Sequence, residues 1–260
     1  MPVYENVAGA LIGTPLERPA KWLRGLKQAG ARRRHPELAE LHQEDARIDE
    51  IVRRVLTPST HAVDIGCHLG SHLQQLVTLA PRGRHHAFEP VPEKASRLRR
   101  KFPGVTVHEM ALDERAGNVE FFIPATQSAY SGLVRRTDAP TLDRSLVVRC
   151  ARFDDVIDAE AKIGYIKIDV NGGELGVLRG AARLLLRDRP FILLGCTQVG
   201  LSDYGVDANA VHACLERELG YRIFLPKAWL DGGDFLDTAR FESSMQYPFQ
   251  AFNYAVVPRT

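Results

Sequence analysis

The sequence has few cysteines and no long hydrophobic run, and these absences exclude several classes of protein. Its 260 residues include four cysteines, which lie far apart and form no Cys-x-x-Cys pair. This spacing indicates neither a zinc site nor a disulfide framework, so we expect free thiols, mostly buried as small apolar residues. No apolar stretch approaches the roughly 20 residues that cross a membrane, and no cleavage signature follows residues 3–12. We therefore expect a cytoplasmic protein without a membrane span.

The chain also lacks internal repeats, low-complexity tracts and a strong excess of charge. Its formal net charge is +2 and 45% of its residues are hydrophobic, as in ordinary soluble globular proteins. This balance does not by itself indicate a nucleic-acid partner. Basic side chains do concentrate in residues 21–34, which contain no acid. We interpret this run as a solvated helical face; a surface for anions or an acidic partner is the alternative.

The patterning predicts a helical, basic extension over residues 1–40 and one α/β domain over residues 41–260. Short apolar runs alternate with amphipathic helices, which favours a mainly parallel sheet covered by helices on both faces. Asn118–Ile123 and Leu146–Arg152 interrupt this alternation and predict a β-hairpin insertion with a long polar loop. The main strands are predicted at Ala62–Ile65, His85–Phe88, Val105–Met110, Ile163–Val170, Phe191–Leu194, Tyr221–Leu225 and Asn253–Val257.

The stretch HAVDIGCHLGS, residues 61–71, has the pattern of a nucleotide seat. An apolar run that contains Asp64 ends in Gly66, Gly70 follows four residues later, and an amphipathic run then extends over His72–Ala80. Glycine lets the backbone approach a ligand, and a helix N-terminus offers free N–H groups to its anionic parts. The strict fingerprint Gly-x-Gly-x-x-Gly is absent, since Cys67-His68 occupies its second position. An ordinary strand–turn–helix is therefore the alternative.

Glu89 is placed to bind a ribose. It lies 25 residues after Asp64, at the end of the second predicted strand and directly before Pro90. Ligands of such sheets sit beyond the carboxyl ends of the strands, and a carboxylate there accepts hydrogen bonds from both ribose hydroxyls. The alternative is an exposed acid at a strand end that binds nothing.

Taken together, the motifs resemble the FkbM-type S-adenosylmethionine-dependent methyltransferases. They occur in the same order over residues 42–258: VDIGCHLG, AFEPVPE, EMALDERAGNVEFF, SAYSGL, RFDDVI, IGYIKIDVNGGELGVLRGA and FNYAVVP. The most specific block is similar to the family's IKIDVEGxExxVLxGA. The resemblance implies a Rossmann-like class I methyltransferase fold, a mainly parallel seven-stranded sheet whose last strand is antiparallel. It also implies methyl transfer to a hydroxyl of a small molecule, often a sugar or a glycosylated or polyketide natural product.

The resemblance further implies the residues that bind S-adenosylmethionine and its product S-adenosylhomocysteine. They are Asp64, Gly66, Cys67, His68, Gly70, Ser71, Glu89, Pro90, Met110, Ala111, Leu112 and Asp169. The methionyl part would be surrounded by Asp64, Gly66, Cys67, His68 and Gly70, Glu89 would hold the ribose, residues 110–112 would border the adenine, and Asp169 would face the methyl donor. The family usually has Ala-Asn at Cys67-His68, Glu at Asn171, and commonly an acid near Cys196.

A hydroxyl acceptor must lose a proton, so we expect a base near the methyl donor. The candidates, in order, are Asp169, His68 and Lys167, with Glu174 as an orienting group. Free imidazole has a pKa of about 6.5, which suits proton transfer, although a turn histidine that caps the next helix is the alternative. Lys167 lies in an apolar strand and needs an acidic partner, such as Glu174 or the acids at residues 154–155. A structural ion pair is the alternative there.

The substrate candidates are Asn171, Tyr130 and Trp229. Tyr130 lies in the predicted loop Pro124–Ser145 and Trp229 in the segment Lys227–Pro248, and long loops with aromatic residues usually shape substrate access. Ordinary packing under these loops is the alternative.

Other functions remain open at this point. Asp169, Asn171 and Glu174 could ligate a hard cation, but one of them is an amide, so we expect no metal. A nicotinamide-dependent oxidoreductase would need a tighter glycine loop, and a non-catalytic cofactor-binding protein is a further alternative. We expect a small-molecule acceptor and no nucleic acid. The sequence leaves open a homodimer, and whether the first 40 residues form a dimerisation arm or a lid.

Overall fold

The structure of the protein is a computed structural model, and it describes residues 9–16, 19, 33–124, 128–135, 144–157 and 162–259. Most of the basic run at residues 21–34 lies outside the described residues, so its helical character stays a prediction. The same holds for much of the loop predicted at Pro124–Ser145. No helix in the described ranges is long and apolar enough to cross a membrane.

A mainly parallel seven-stranded sheet forms the centre of the protein. The strands along the chain are β1 (Ala62–Ile65), β2 (His85–Phe88), β3 (Val105–His108), β4 (Ala111–Leu112), β5 (Gly117–Ile123), β6 (Arg144–Ala151), β7 (Tyr165–Ile168), β8 (Phe191–Gly195), β9 (Tyr221–Phe224) and β10 (Asn253–Pro258). The sheet order is β3-β2-β1-β7-β8-β10-β9. The first five of these are parallel, and β10 lies antiparallel between β8 and β9. The predicted Rossmann-like sheet with an antiparallel last strand is confirmed.

The insertion forms a second, three-stranded sheet in the order β4-β6-β5. β5 and β6 pair as the predicted antiparallel hairpin. The short strand β4, which follows β3 along the chain, pairs with the end of β6 and was not predicted. This pairing ties the insertion to the region after β3, so Ala111 and Leu112 have fixed positions near the carboxyl ends of the strands.

Helices cover both faces of the main sheet. They are α1 (Ala39–His42), α2 (Glu44–Val55), α3 (Ser71–Leu79), α4 (Pro92–Lys101), α5 (Glu174–Gly180), α6 (Ala182–Asp188), α7 (Gln198–Asp203), α8 (Ala208–Ala213), α9 (Pro226–Asp231) and α10 (Thr238–Ser244). Alternate residues of a strand point to opposite faces, so Ile166 joins one hydrophobic core and Tyr165 the other. Burial on both faces explains why the strands are apolar almost throughout.

Several local predictions differ from the structure. The helix predicted after Gly173 is two helices, α5 and α6, with a break at Ala181. The helix predicted over Ala208–Leu219 changes to π-helical hydrogen bonding over Cys214–Glu218. The segment Lys227–Pro248, predicted as a long loop, contains most of α9 and all of α10. All four cysteines are free and buried, as predicted.

Candidate active site

A cleft with about 600 Å³ of empty volume lies at the carboxyl ends of β1, β2 and β7. This is the edge at which parallel α/β sheets bind their ligands. Chain segments that are far apart in the sequence form its walls. The predicted site residues that line it are Gly66, His68, Glu89, Pro90, Met110, Ala111, Leu112, Asp169 and Asn171.

Gly66 allows β1 and β7 to approach closely at the bottom of the cleft. Its φ of 81° lies in the left-handed region, and a Cβ added there would lie 2.0 Å from the carbonyl oxygen of Asp169. Gly66 and Cys67 then donate their N–H groups to the carbonyl of Phe88, which fixes the bend against β2. A side chain at position 66 is therefore excluded by both backbone conformation and space.

Glu89 places a buried carboxylate in the wall of the cleft. The residue is only 4% exposed. Its Oε2 accepts a hydrogen bond from the backbone N–H of His68 and its Oε1 accepts one from the N–H of Val91, both at 3.0 Å. Burial raises the pKa of Glu89 to about 7, although the ammonium of Lys94 opposes this shift. A carboxylate has about four acceptor positions, so both oxygens can still accept bonds from ligand hydroxyls.

The wall next to Glu89 is apolar. Met110, Ala111 and Leu112 are buried and line the cleft together with Phe121 of the hairpin. An apolar wall beside a carboxylate with spare acceptor positions fits an adenosine, whose base is largely apolar on its faces and whose ribose carries two hydroxyl donors. The residues present therefore fit the nucleoside part of S-adenosylmethionine.

Lys167 joins the cleft to the buried core through two carboxylates. Its Nζ lies 3.0 Å from Oδ2 of Asp169 and 4.0 Å from Oδ1 of Asp64. Burial lowers the pKa of Lys167, but the two carboxylates outweigh burial and raise it, so the side chain is a cation. Asp64 is fully buried, and burial raises its pKa to about 6 against the attraction of Lys167. The side chain of Asp169 is 46% exposed and faces the cleft.

The acidic partners suggested for Lys167 by the sequence lie elsewhere. Asp154 accepts hydrogen bonds from the N–H groups of Arg183 and Leu184 at the start of α6. Glu174 accepts hydrogen bonds through Oε1 from the N–H groups of Val170, at 3.2 Å, and Gly172, at 3.1 Å. That prediction was wrong, because Asp154 binds backbone amides at the start of α6 and Glu174 binds amides of the loop before α5. Lys167 pairs with Asp64 and Asp169 instead.

Glu174 instead shapes the loop that follows β7. By binding the amides on both sides of Asn171, it holds that residue in the left-handed conformation, with φ at 56°. Burial raises the pKa of Glu174 to about 7, and its Oε2 has no hydrogen-bond partner among the described residues. Glu174 thus fixes the loop after β7, and its role as an orienting group in catalysis stays a prediction.

The three oxygen-bearing side chains considered as metal ligands do not converge. Asp169 pairs with Lys167, and Oε1 of Glu174 binds loop amides. Nδ2 of Asn171 donates to the carbonyls of Ala129, at 2.8 Å, and Ser131, at 3.1 Å. In the described ranges, no group of three or more His, Cys, Asp or Glu side chains is arranged to hold a metal. The expectation of metal-independent activity stays a prediction.

Residues 128–133, which we call the strap, cover one side of the cleft. Nε2 of His68 lies 3.1 Å from Oγ of Ser128, and Nζ of Lys94 donates to the Ser128 carbonyl, also at 3.1 Å. At the other end, the hydroxyl oxygen of Tyr204 accepts a hydrogen bond from the N–H of Leu133 at 2.8 Å. The motif SAYSGL spans residues 128–133, but the sequence pattern assigned no role to Lys94, Ser128 or Tyr204. No local pattern indicates these contacts, because the partners lie far apart in the chain.

The remaining candidates do not line the cleft. Cys67 is buried, and its Sγ donates to the carbonyl of Phe88 at 3.4 Å. Gly70 precedes Ser71 at the start of α3, where Leu98 and Phe102 pack against the glycine. Tyr130, on the strap, is 46% exposed. Trp229 packs edge-on against Phe191, with 5.3 Å between ring centroids, in a core beside the sheet.

The strand order and the position of the cleft define a Rossmann-like class I methyltransferase. The chain belongs to the FkbM family of S-adenosylmethionine-dependent methyltransferases, because residues 64–223 match the family described as the methyltransferase FkbM domain. This confirms the resemblance inferred from the motifs and the cofactor, S-adenosylmethionine. It also favours a methyltransferase over a nicotinamide-dependent oxidoreductase on a similar sheet.

Solved structures with a similar fold include the methyltransferase FkbM from Methylobacillus flagellatus KT. It is 18% identical, with a TM-score of 0.47, and the match covers 78% of this chain and 44% of that chain. The precorrin-6y C5,15-methyltransferase from Geobacter metallireducens GS-15 is 13% identical, with a TM-score of 0.41 and coverage of 81% and 85%. The amino pentose methyltransferase CalS10 from Micromonospora echinaspora is 17% identical, with a TM-score of 0.33 and coverage of 59% and 50%. No curated protein matches the sequence.

Proposed function

We propose that the protein transfers a methyl group from S-adenosylmethionine to a hydroxyl oxygen of a small molecule, a sugar or a glycosylated or polyketide natural product. The observation that carries this proposal is the position of Asp169. Its half-exposed carboxylate faces the same cleft as Glu89 and is hydrogen-bonded to the buried cation of Lys167. A carboxylate fixed in this way suits an acceptor that must give up a proton.

The cofactor residues divide the cleft into parts of different polarity. Glu89 would accept hydrogen bonds from the ribose hydroxyls, and the apolar side chains of Met110 and Leu112, which line the cleft, would border the adenine. Gly66 keeps the bend after β1 free of side-chain atoms, so the backbone can approach the methionyl part. When bound, S-adenosylmethionine supplies a methyl group that its sulfonium already activates.

Asp169 accepts the proton of the acceptor hydroxyl. A neutral hydroxyl is a weak nucleophile, and a positioned base contributes typically about 10²–10⁴-fold to the rate. Lys167 fixes the carboxylate by its hydrogen bond, and Glu174 fixes the loop that follows. Orientation of the acceptor oxygen supplies much of the remaining acceleration. His68 is the second candidate for the base, but its ring is engaged by Ser128 of the strap. Lys167 is the third, and its raised pKa keeps it protonated.

The proposal is tested with S-adenosylmethionine labelled in its methyl group and a panel of glycosides and hydroxylated polyketides. We expect label in a product that survives mild alkali, as a methyl ether does, and loss of transfer with Asp169→Asn. Label on nitrogen or carbon, or label released by alkali as methanol from an ester, would contradict O-methylation. A protein that binds S-adenosylhomocysteine but methylates no member of the panel would favour the non-catalytic alternative.

A further inference from the structure

We infer that the strap closes the cofactor cleft and must open for cofactor exchange, and that the side chain of Asn171 is the latch that holds it closed. The identity of the enclosed ligand rests on the proposed function. The closure itself rests on hydrogen bonds between the strap and side chains from distant parts of the chain.

The strap is fastened at both ends and in its middle. Ser128 is held by His68 from the bend after β1 and by Lys94 from α4. The middle is held by Asn171, whose Nδ2 donates both of its hydrogens, one to Ala129 and one to Ser131. The far end is held by Tyr204, which follows α7. Bonds from these separate elements give the strap one position over the cleft.

Next to the strap, Glu89 and Lys94, which holds Ser128, are deeply buried, whereas the side chain of Asp169 in the same cleft is 46% exposed. Glu89 is 4% exposed, Lys94 is 2% exposed and Ser128 is 4% exposed. We infer that the strap in this position blocks the path of a nucleoside to the carboxylate of Glu89. Entry and exit therefore require the hydrogen bonds of the strap to break, and such local opening is an ordinary low-energy motion of a loop.

Among the residues that bind the strap, Asn171 has the most firmly fixed position, and we assign it as the latch. Its left-handed backbone, which asparagine tolerates, directs the amide toward the strap and is itself fixed by Glu174. An amide can donate two hydrogen bonds, whereas a carboxylate of the same shape can donate none when ionised. Aspartate at this position would face two carbonyl oxygens with a negative charge. We therefore assign Asn171 as a positioning residue that acts through the strap.

The experiment compares hydrogen–deuterium exchange over residues 128–133 in ligand-free wild-type protein, Asn171→Asp and Asn171→Gly. Both replacements tolerate the left-handed backbone, and only the first adds a charge. Loss of two hydrogen bonds predicts exchange in the strap that is faster by roughly tenfold in both variants. The control is Asn209→Asp, the same change at an exposed position on α8, with no change expected in the strap. Wild-type exchange in both Asn171 variants, with β8 still protected, would overturn the inference.

Two further measurements cover the cases in which the Asn171 variants do not fold or Asn171 contacts the ligand directly. Should the Asn171 variants fail to fold, Tyr204→Phe removes the acceptor of the Leu133 amide and keeps the ring, and it too must speed exchange at that end of the strap. Stopped-flow binding of S-adenosylhomocysteine to Asn171→Asp must then show association and dissociation accelerated by similar factors. Faster dissociation alone would mean that Asn171 contacts the ligand directly and is not a latch. A wild-type protein that binds no S-adenosylhomocysteine would remove the proposed function, while the exchange data would still decide on the strap.

Discussion

The Nζ of Lys167 lies 3.0 Å from Oδ2 of Asp169, so a buried cation in the central strand holds the carboxylate that faces the cleft. The same ammonium is 4.0 Å from the fully buried Asp64. Lys167 thus has two tasks: it compensates a charge inside the protein, and it positions a second charge at the surface of the cleft. These tasks can be separated by experiment.

Replacement of Lys167 by methionine removes the cation and leaves two carboxylates close together. Breaking a buried pair by deleting one partner costs about 3–5 kcal/mol, because the remaining charge is buried without compensation. We expect a loss of this size in the free energy of unfolding, measured by urea titration. Arg53→Met is the control, since Arg53 and Asp49 form an exposed pair at 3.8 Å that contributes less than about 1 kcal/mol. Equal losses in the two variants would contradict a structural role for Lys167.

Asp169→Asn tests the assignment of the base. The change keeps the shape of the side chain and removes its ability to take a proton, so we expect kcat to fall by about 10²–10⁴-fold. The affinity for S-adenosylhomocysteine should change little, because the proposed nucleoside contacts are made by Glu89 and the apolar wall. Single-turnover methyl transfer and calorimetry measure the two effects separately.

His68→Asn is the matched comparison for that experiment, because asparagine tolerates the φ of 49° at this position. We expect it to keep a rate within a few-fold of wild type between about pH 6 and 9, where a histidine base would titrate. If His68→Asn loses as much activity as Asp169→Asn, the base is His68. In that case Asp169 only positions other groups.

Binding of S-adenosylhomocysteine should depend on pH through Glu89. Burial raises the pKa of this carboxyl to about 7, from an ordinary value of 4.5, so the group ionises near neutrality in the ligand-free protein. The ionised form accepts the ribose hydroxyls best, and affinity should therefore rise through pH 7 and level off above it. A group with one titration changes affinity by at most about tenfold per pH unit. Calorimetry from acidic to alkaline pH should show this rise, and Glu89→Gln should abolish it.

The raised pKa of Glu89 also predicts that the stability of the ligand-free protein falls as the pH rises, whereas the affinity for S-adenosylhomocysteine rises. A pKa raised by folding stabilises the folded state below the unfolded value of 4.5, and this contribution is lost as the pH rises through about 7. Glu174 and Asp64 also have raised pKa values, of about 7 and about 6, and act in the same direction. Comparison of the stability of wild type with that of Glu89→Gln isolates the contribution of Glu89.

For the binding experiment, a wild-type affinity for S-adenosylhomocysteine that stays constant across neutral pH would contradict ribose binding by Glu89.

Gly66→Ala tests the close approach of β1 and β7. An added Cβ would collide with the carbonyl of Asp169, and the left-handed backbone is unfavourable for alanine. Strain of this kind costs about 1–3 kcal/mol before the collision is counted, so we expect a destabilisation of at least about 2 kcal/mol. Gly104→Ala is the control, because no atom lies within 4 Å of a Cβ at that position. Equal thermal midpoints for the two variants would contradict the assignment.

Much of the cleft was predictable because its residues lie in local patterns. Asp64 and Gly66 end an apolar strand, Glu89 ends the next one, and Asp169 ends the strand that pairs with the first on its other side. Parallel pairing then brings the three strand ends together without any further information. The motif order pointed to the same residues and to the antiparallel last strand.

The strap contacts were not predictable, because they join residues that no local pattern relates. His68 and Ser128 are 60 residues apart in the sequence, and Lys94 and Ser128 are 34 residues apart. Two positions where the chain departs from the usual family pattern, His68 and Asn171, have a common explanation in the structure. Both are left-handed, and both direct their side chains to the strap.

Trp229 shows a different limit of sequence patterns. A tryptophan in a segment with several aromatic residues resembles a binding loop, but Trp229 lies in the short helix α9, and its indole packs against Phe191. Its position in the hydrophobic core provides the apolar contacts that its size requires. Whether a single aromatic side chain is exposed or buried depends on tertiary packing. The sequence of a six-residue helix does not predict that packing.

The most direct test is a calorimetric titration of S-adenosylhomocysteine into purified wild-type protein and into Glu89→Gln, with NAD as a parallel ligand. We expect saturable one-to-one binding to wild type, affinity lower by roughly tenfold to a hundredfold in Glu89→Gln, and no binding of NAD, since hydrogen bonds to a charged group contribute about 1.5–3 kcal/mol. If folded wild-type protein takes up no S-adenosylhomocysteine, or binds it as well after Glu89→Gln, the cleft does not bind the cofactor as described.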